Sequence, residues 1–300
     1  MRFGLFGTGH WASHTHAAAI DAHPRSTLAG VWGRDPEKAE ALARRYGVPA
    51  FRDADALIEA VDAVAVALPP DVQADIAARA AAAGRHLLLD KPLALTLAEA
   101  DRVVAATEAT GVASVVFFTF RFSPEVEAFL ASATTTGGWH GARATFFASI
   151  YGPDSPYDSS QWRREQGALW DIGPHLLSVL LPVLGPVVEV AAMDGPRGIV
   201  QVLLKHADGA AATMALTLDA PPAATAFELA FHGESGLARL PSRDGDAVTA
   251  LGLALDQLHH EVETGSRGGG CDARFARDVT AVLEAVATAR TEGRTVRVAV

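Results

Sequence analysis

An apolar run, Phe3–Phe6, leads directly into Gly7-Thr8-Gly9-His10-Trp11-Ala12, and a helical pattern, Trp11–Ala22, opens behind it. No other feature restricts the fold of this chain as much. The spacing is G-x-G-x-x-A. The first glycine permits a tight turn, the second lets the backbone approach a pyrophosphate, and a small third residue keeps the helix close to the strand. The helix N-terminus then faces the anion. The competing reading is a glycine turn with no ligand. The position of the motif after a first strand argues against it.

The next hundred residues repeat the same alternation. Apolar runs Leu28–Trp32, Ala63–Leu68, His86–Leu89 and Ser114–Phe118 are separated by helical patterns Pro36–Tyr46, Val72–Ala83 and Leu97–Thr110. Near-continuous apolar runs suit strands buried on both faces of a parallel sheet. Gly84 and Gly111 stand where helix-ending glycines belong. The order reads as a doubly wound α/β sheet, a Rossmann domain over residues 1–120. After Arg121 the runs lengthen and alternate: Ala142–Ile150, Val187–Met193, Ile199–His206, Ala211–Leu218 and Phe227–His232. Alternation predicts a mainly antiparallel sheet with two unlike faces. A helix over Ala273–Ala289 and a strand over Thr295–Val300 close a second, α+β domain, residues 121–300.

Composition narrows the function. Twenty-five basic against 35 acidic residues leave a net charge of −10, which disfavours a nucleic acid or an anionic membrane surface as partner. A single cysteine, Cys271, excludes an internal disulfide and a cysteine-cluster metal site. It fits a reduced, cytoplasmic setting. The longest apolar run, Leu176–Ala192, contains Pro182, Gly185, Pro186 and Glu189, so it reads as helix, turn and strand rather than a membrane span.

Three places carry candidate chemistry. At the end of the second strand run, Gly33 and Arg34 stand where an acidic ribose ligand is usual. A small residue leaves room for a 2′-phosphate and a guanidinium pairs with it, so NADP is the preferred cofactor, with NAD still open. Two other readings make Arg34 an ordinary exposed arginine and Asp35 the ribose ligand, although Pro36 behind it makes Asp35 a natural helix cap. At the end of the fourth run, Asp90-Lys91-Pro92 places a lysine at the carboxyl edge of the sheet, where ligands bind. Only three lysines occur in the chain. A partly desolvated ammonium there can donate to a reacting oxygen, whereas the bland reading is a surface lysine at a strand end. Farther on, Asp171 and His175 stand four apart before an apolar helix. They can share one face as a carboxylate and a proton-transferring imidazole, or serve as a plain helix cap and a core histidine.

In order and spacing, the G-x-G-x-x-A turn, Pro69-Pro70, Asp90-Lys91-Pro92 and Asp171-x-x-x-His175 resemble the Gfo/Idh/MocA oxidoreductases. Arg121-Phe122-Ser123-Pro124, Trp162-Arg163 and Gly293-Arg294-Thr295-Val296 extend the resemblance over nearly the whole chain. It implies a Rossmann domain followed by an open-faced sheet, and hydride transfer between a pyridine nucleotide and a hydroxyl of a sugar, polyol or related compound. It implies that Lys91 sits beside nicotinamide and substrate, that Asp171 positions the substrate and that His175 takes the hydroxyl proton. It also implies a cis Lys91–Pro92 bond, Pro69 and Pro70 near the nicotinamide, and a homodimer or homotetramer formed through the free sheet face.

Departures from the family pattern leave the substrate open. Asp90 replaces a glutamate, Gln73 replaces a histidine near the two prolines and the cofactor, Ala168 replaces a glycine, and Thr119 stands for an asparagine near Arg121. The polar connection from Tyr151 to Gln161 offers Tyr151 and Tyr157, with Trp162, Arg163 and Arg121, as candidates to touch substrate; an inert surface loop is the alternative. Other functions remain on the table: reduction of C=O or C=N in a non-carbohydrate, glycoside cleavage through a transient oxidation, and cofactor-dependent regulation without catalysis. No metal site is expected. His10, His14 and His16 lack a carboxylate partner at ligand spacing, and His259-His260-Glu261 reads as a solvated helix face.

Overall fold

Val64, Ala65 and Val66, like Leu87, Leu88 and Leu89, are wholly buried, as apolar runs must be when helices cover both faces of a parallel sheet. The computed structural model describes residues 1–152, 155–158, 160–242, 245–266 and 269–299. Parts of three sequence expectations, the 151–161 connection at 153, 154 and 159, a glycine-rich loop at 267 and 268, and the last strand at 300, lie outside the described residues.

The first 122 residues run β1 (Arg2–Phe6), α1 (Ala17–Ala22), β2 (Thr27–Trp32), α2 (Pro36–Tyr46), β3 (Ala50–Phe51), α3 (Ala54–Glu59), β4 (Ala63–Val66), α4 (Pro70–Ala82), β5 (His86–Asp90), α5 (Leu97–Thr110) and β6 (Ser114–Phe117). The six strands are parallel in the order β3-β2-β1-β4-β5-β6. That order reverses between β1 and β4, which opens a crevice at their carboxyl ends. Asp35 and Thr96 cap α2 and α5, and Gly47 and Gly111 end them in left-handed conformation; the sequence signals Asp35 and Gly111. The pattern does not announce β3 and α3, because a two-residue strand carries no period. A π-helical turn, Ala12–His16, precedes α1, closed by the Ala17 N–H on the Ala12 carbonyl.

Next come α6 (Pro124–Thr136), β7 (Trp139–Phe147), α7 (Gln161–Asp171), α8 (Gly173–Leu184), β8 (Val187–Asp194), β9 (Val200–His206), β10 (Ala211–Thr217), β11 (Ala226–Gly233) and β12 (Gly236–Arg239). The chain closes with α9 (Ala247–Thr264), α10 (Ala273–Glu292) and β13 (Val296–Arg297). The second sheet has the order β12-β11-β7-β10-β9-β8-β13, antiparallel except for the parallel β7–β10 pair. Strict alternation along β9 buries Val200, Val202, Leu204 and His206 and turns Gln201, Leu203 and Lys205 outward. The apolar run Leu176–Ala192 resolves into α8, a turn and β8. Residues Gln161–Leu184 are apolar and long enough to cross a membrane, but they form two helices and 72% of their most apolar window is buried in the fold.

Two expectations need correction. Residues 245–277 do not belong with the second domain. The chain divides into Met1–Phe122 with Gly245–Arg277, and Ser123–Asp244 with Asp278–Val300. The reason is that α9 covers β5 and β6, and the Cys271 carbonyl accepts the Val116 N–H of β6 at 2.7 Å. Second, His259-His260-Glu261 is not a solvated face. His259 and Glu261 are buried, with only His260 exposed. The His259 ring stacks on His23 at 5.2 Å, and its Nε2 lies 3.0 Å from Ser26 Oγ.

Candidate active site

The candidate residues form two groups, one in each unit. In the first unit the chain leaves β1 at Gly7, whose φ of +134° only glycine adopts freely. A Cβ there would strike the Ala67 carbonyl, while the Gly7 N–H bonds the Trp32 carbonyl at 2.9 Å. Gly9 is exposed, and an added Cβ would meet no atom within 4 Å. Ala12 is fully buried, which lets the helix start lie against the sheet. Such a turn, opening at a helix N-terminus, fits a dinucleotide pyrophosphate. Thr8 lies beside Gly33: a Cβ on Gly33 would come within 2.5 Å of Thr8 Cγ2. His10 and His14 stack on each other at 4.2 Å, and Trp11 stacks on Phe117 at 6.4 Å.

Asp35 caps α2, its Oδ1 accepting from the N–H groups of Glu37 at 3.1 Å and Lys38 at 3.2 Å. Those bonds, the Lys38 one first, hold its carboxyl below the usual carboxylate range. Of the two roles open to Asp35, the structure shows the cap. Arg34 stays exposed at the same turn.

Lys91 follows the last residue of β5 at the carboxyl edge of the sheet, with a cis bond to Pro92. Asp90 Oδ1 accepts the Lys91 N–H at 2.8 Å. Its Oδ2 lies 3.7 Å from Nε2 of His16, which is fully buried in the π-helical turn. Burial pushes the His16 pKa down to about 3, so the ring is neutral. The carboxylate nearest His16 comes from β5, far along the chain, and at 3.7 Å it stands beyond hydrogen-bond distance. The π turn takes the ring off the ordinary helical register. Pro69 and Pro70 open α4. Gln73, in its first turn, is buried and bonded to the backbone of the Asp90–Leu93 segment, which makes its contacts structural. Arg121 is 8% exposed, with its guanidinium against the Phe275 ring and 3.4 Å from the Gly270 carbonyl.

In the second unit Asp171 ends α7 and His175 stands near the start of α8, with Ile172 between the helices. Asp171 therefore does not cap α8; Ile172 holds that position without a side-chain bond. The Asp171 carboxylate is turned to Arg163, Nε to Oδ2 at 3.0 Å. The Arg163 guanidinium lies over the Tyr157 ring at 4.3 Å and the Trp162 ring at 4.8 Å, and its Nη1 reaches Ser160 Oγ at 3.3 Å. The Tyr151 hydroxyl donates to the Arg163 carbonyl at 3.1 Å. Tyr151, Tyr157 and Trp162 thus gather around Arg163, which holds the carboxylate. His175 is half-buried, and its carbonyl accepts from Ser178 Oγ at 2.7 Å. Among the described residues no group of three or more His, Cys, Asp or Glu side chains is arranged to hold a metal ion.

Residues 1–118 match the model of an oxidoreductase family with an NAD-binding Rossmann fold, and residues 136–239 match the GFO/IDH/MocA C-terminal domain. The chain belongs to the Gfo/Idh/MocA family. Within the Gfo/Idh/MocA oxidoreductases it is 28% identical over 251 residues, 80% of this chain and 75% of the relative, to dTDP-3,4-didehydro-2,6-dideoxy-alpha-D-glucose 3-reductase of Streptomyces antibioticus. It is 36% identical over 129 residues, 41% of this chain and 38% of the relative, to inositol 2-dehydrogenase of Rhizobium meliloti. The structure of GenD2 from gentamicin A biosynthesis in complex with NAD superposes with a TM-score of 0.86 at 24% identity, covering 100% of this chain and 97% of that one. At that identity the likeness speaks for the fold. As a Gfo/Idh/MocA protein the chain is an NAD(P)-dependent oxidoreductase of the kind named for sugar and polyol hydroxyls.

Proposed function

We propose that the protein is an NADP-preferring dehydrogenase or reductase that interconverts a hydroxyl and a carbonyl on a sugar, polyol or related small molecule. The observation that carries this is the placement of Lys91 at the carboxyl end of β5, on the same sheet edge as the glycine turn after β1. Parallel strands put both on the ligand-binding edge.

A nicotinamide dinucleotide held at the glycine turn would supply the hydride chemistry. The side chains handle the proton. The His175 imidazole takes it from the substrate hydroxyl, because an imidazole exchanges protons near neutral pH. The Asp171 carboxylate, directed by Arg163, accepts a hydrogen bond from the substrate and orients it. The Lys91 ammonium donates to the reacting oxygen and stabilises the charge that develops on it. A regulator without catalysis has no use for such a set.

The cofactor preference rests on three neighbours. Gly33 has no side chain to meet a 2′-phosphate, Arg34 offers an exposed guanidinium, and Asp35 is committed to its helix cap. The outward face of the second sheet, with Met193 68% and Leu203 52% exposed, suits a homodimer or homotetramer.

A panel of sugars and polyols with NAD and NADP, followed at the nicotinamide absorbance, tests the reading. Lys91→Ala and His175→Ala should each abolish turnover and leave cofactor binding nearly unchanged. Full activity in either variant overturns the mechanism, and a strong preference for NAD overturns the cofactor choice.

A further inference from the structure

Gln73 stands in the first turn of α4 and is 1% exposed. Its Nε2 lies 2.7 Å from the Asp90 carbonyl, 2.9 Å from that of Pro92 and 3.4 Å from that of Leu93. Its Oε1 accepts the Asp90 N–H at 2.9 Å. A primary amide has two N–H donors and one carbonyl acceptor, so this one side chain is spent on backbone groups that bracket Lys91 from both sides. β5 pairs with β6 only as far as Asp90. Beyond that residue the Gln73 amide does what a neighbouring strand would otherwise do. It gives the departing chain a donor and an acceptor in fixed places, away from water. The Asp90 side chain adds a second hold by accepting the Lys91 N–H at 2.8 Å.

We propose that Gln73 is the positioning residue for Lys91: its amide sets the path of residues 90–93, and through that path the place of the Lys91 ammonium on the sheet edge. Gln73 touches neither cofactor nor substrate in this role. The proposal rests on the reading of Lys91 as a proton-handling group only for its effect on rate. Its structural content stands apart from that reading. The chemistry also says which replacements fail. An apolar side chain leaves three carbonyls and one N–H without this partner in a buried place. An introduced carboxyl of the same length keeps the acceptor but turns an oxygen toward three carbonyl oxygens. With its proton kept it donates to one of them, and burial together with that hydrogen bond raises its pKa.

The test uses the fact that the chain has three lysines, Lys38, Lys91 and Lys205. Reductive methylation with ¹³C-formaldehyde gives each a dimethylamine resonance, and Lys91→Arg identifies the one that matters. In Gln73→Leu the Lys91 resonance should move while those of Lys38 and Lys205 stay. In Gln73→Glu it should coincide with the parent resonance at about pH 6 and diverge from the parent measured at the same pH as the introduced carboxyl ionises toward about pH 9; the same-pH comparison cancels titration of the methylated amine itself. On unmodified enzyme, kcat for the substrate found by the panel should fall roughly tenfold to a hundredfold in Gln73→Leu with KM little changed. Restoration of kcat in Gln73→Glu on the acid side of the same window is expected as well. If Gln73→Leu does not fold, Gln73→Glu alone decides the matter through its pH dependence. A Lys91 resonance that stays in place in the folded variants overturns the proposal. Full turnover in Lys91→Ala would instead overturn the mechanism and leave the resonance result standing.

Discussion

Arg163 and Asp171 form an ion pair, Nε to Oδ2 at 3.0 Å, with side chains only 17% and 9% exposed. The Tyr157 and Trp162 rings lie against the guanidinium, so its fork is held in one orientation and the carboxylate with it. Arg163→Ala removes the partner of a nearly buried carboxylate and should cost roughly 3 kcal/mol in urea unfolding. Arg163→Lys should recover part of the stability and little of kcat/KM, because a point charge cannot reproduce the stacked, planar geometry. Equal activity in the lysine variant and the parent protein would refute this role.

Acid should weaken the fold in a definite window. Burial holds the pKa of His16 down to about 3 and that of His259 to about 4, with Arg25 adding to the second shift. Both rings are neutral in the folded chain, whereas in the unfolded chain they take up protons below about pH 6.5. Stability from these groups is therefore complete above that pH and is lost as the pH falls through 6.5 toward the folded values. His259 is faced by His23, Ser26 and Phe3, with Arg25, Asp256 and Glu263 around them; His16 is faced by Asp90 and Phe117. Urea midpoints between pH 8 and 4.5 measure the effect, and His259→Gln should flatten the slope. An unchanged slope would remove His259 from the account.

Cofactor choice should resist a single substitution. Gly33→Asp supplies the acidic ribose ligand of NAD enzymes, but its Cβ would meet Thr8 Cγ2 at 2.5 Å. Alone it should weaken binding of both NADH and NADPH. Combined with Thr8→Gly it should favour NADH, as read by nicotinamide fluorescence titration. A switch to NADH with Thr8 intact would show that the Thr8 side chain yields without cost.

Asp35 should behave as a cap and nothing more. Asp35→Ala should lower stability by about 1 kcal/mol. The ratio of NADP to NAD affinity should stay where it was. A fall in NAD affinity confined to this variant would return Asp35 to the ribose.

Much of this was legible in the residues. The sheet of the first unit follows from apolar runs with glycine, proline and Asx or Thr signals at their ends, since such signals act within a few residues. The glycine turn, the cap at Asp35 and the edge position of Lys91 are local in the same sense. The second sheet was legible as alternation, but its parallel β7–β10 pair was not. Strand partners far apart in sequence leave no local mark.

By itself the sequence determined the fold class, the family resemblance and the residue types able to move a proton, because each is written in short-range pattern. Tertiary structure decided what those residues touch. It gave His16 a carboxylate from β5, set Gln73 on the backbone around Lys91, turned Asp171 to Arg163, and buried His259 against His23. It also drew residues 245–277 to the first unit. For Gln73 and Asp171 the physical reason is that hydrogen bonds satisfy whichever polar group the fold brings within about 3 Å, whatever its distance along the chain. For His16 and His259 it is burial, which tertiary packing alone decides.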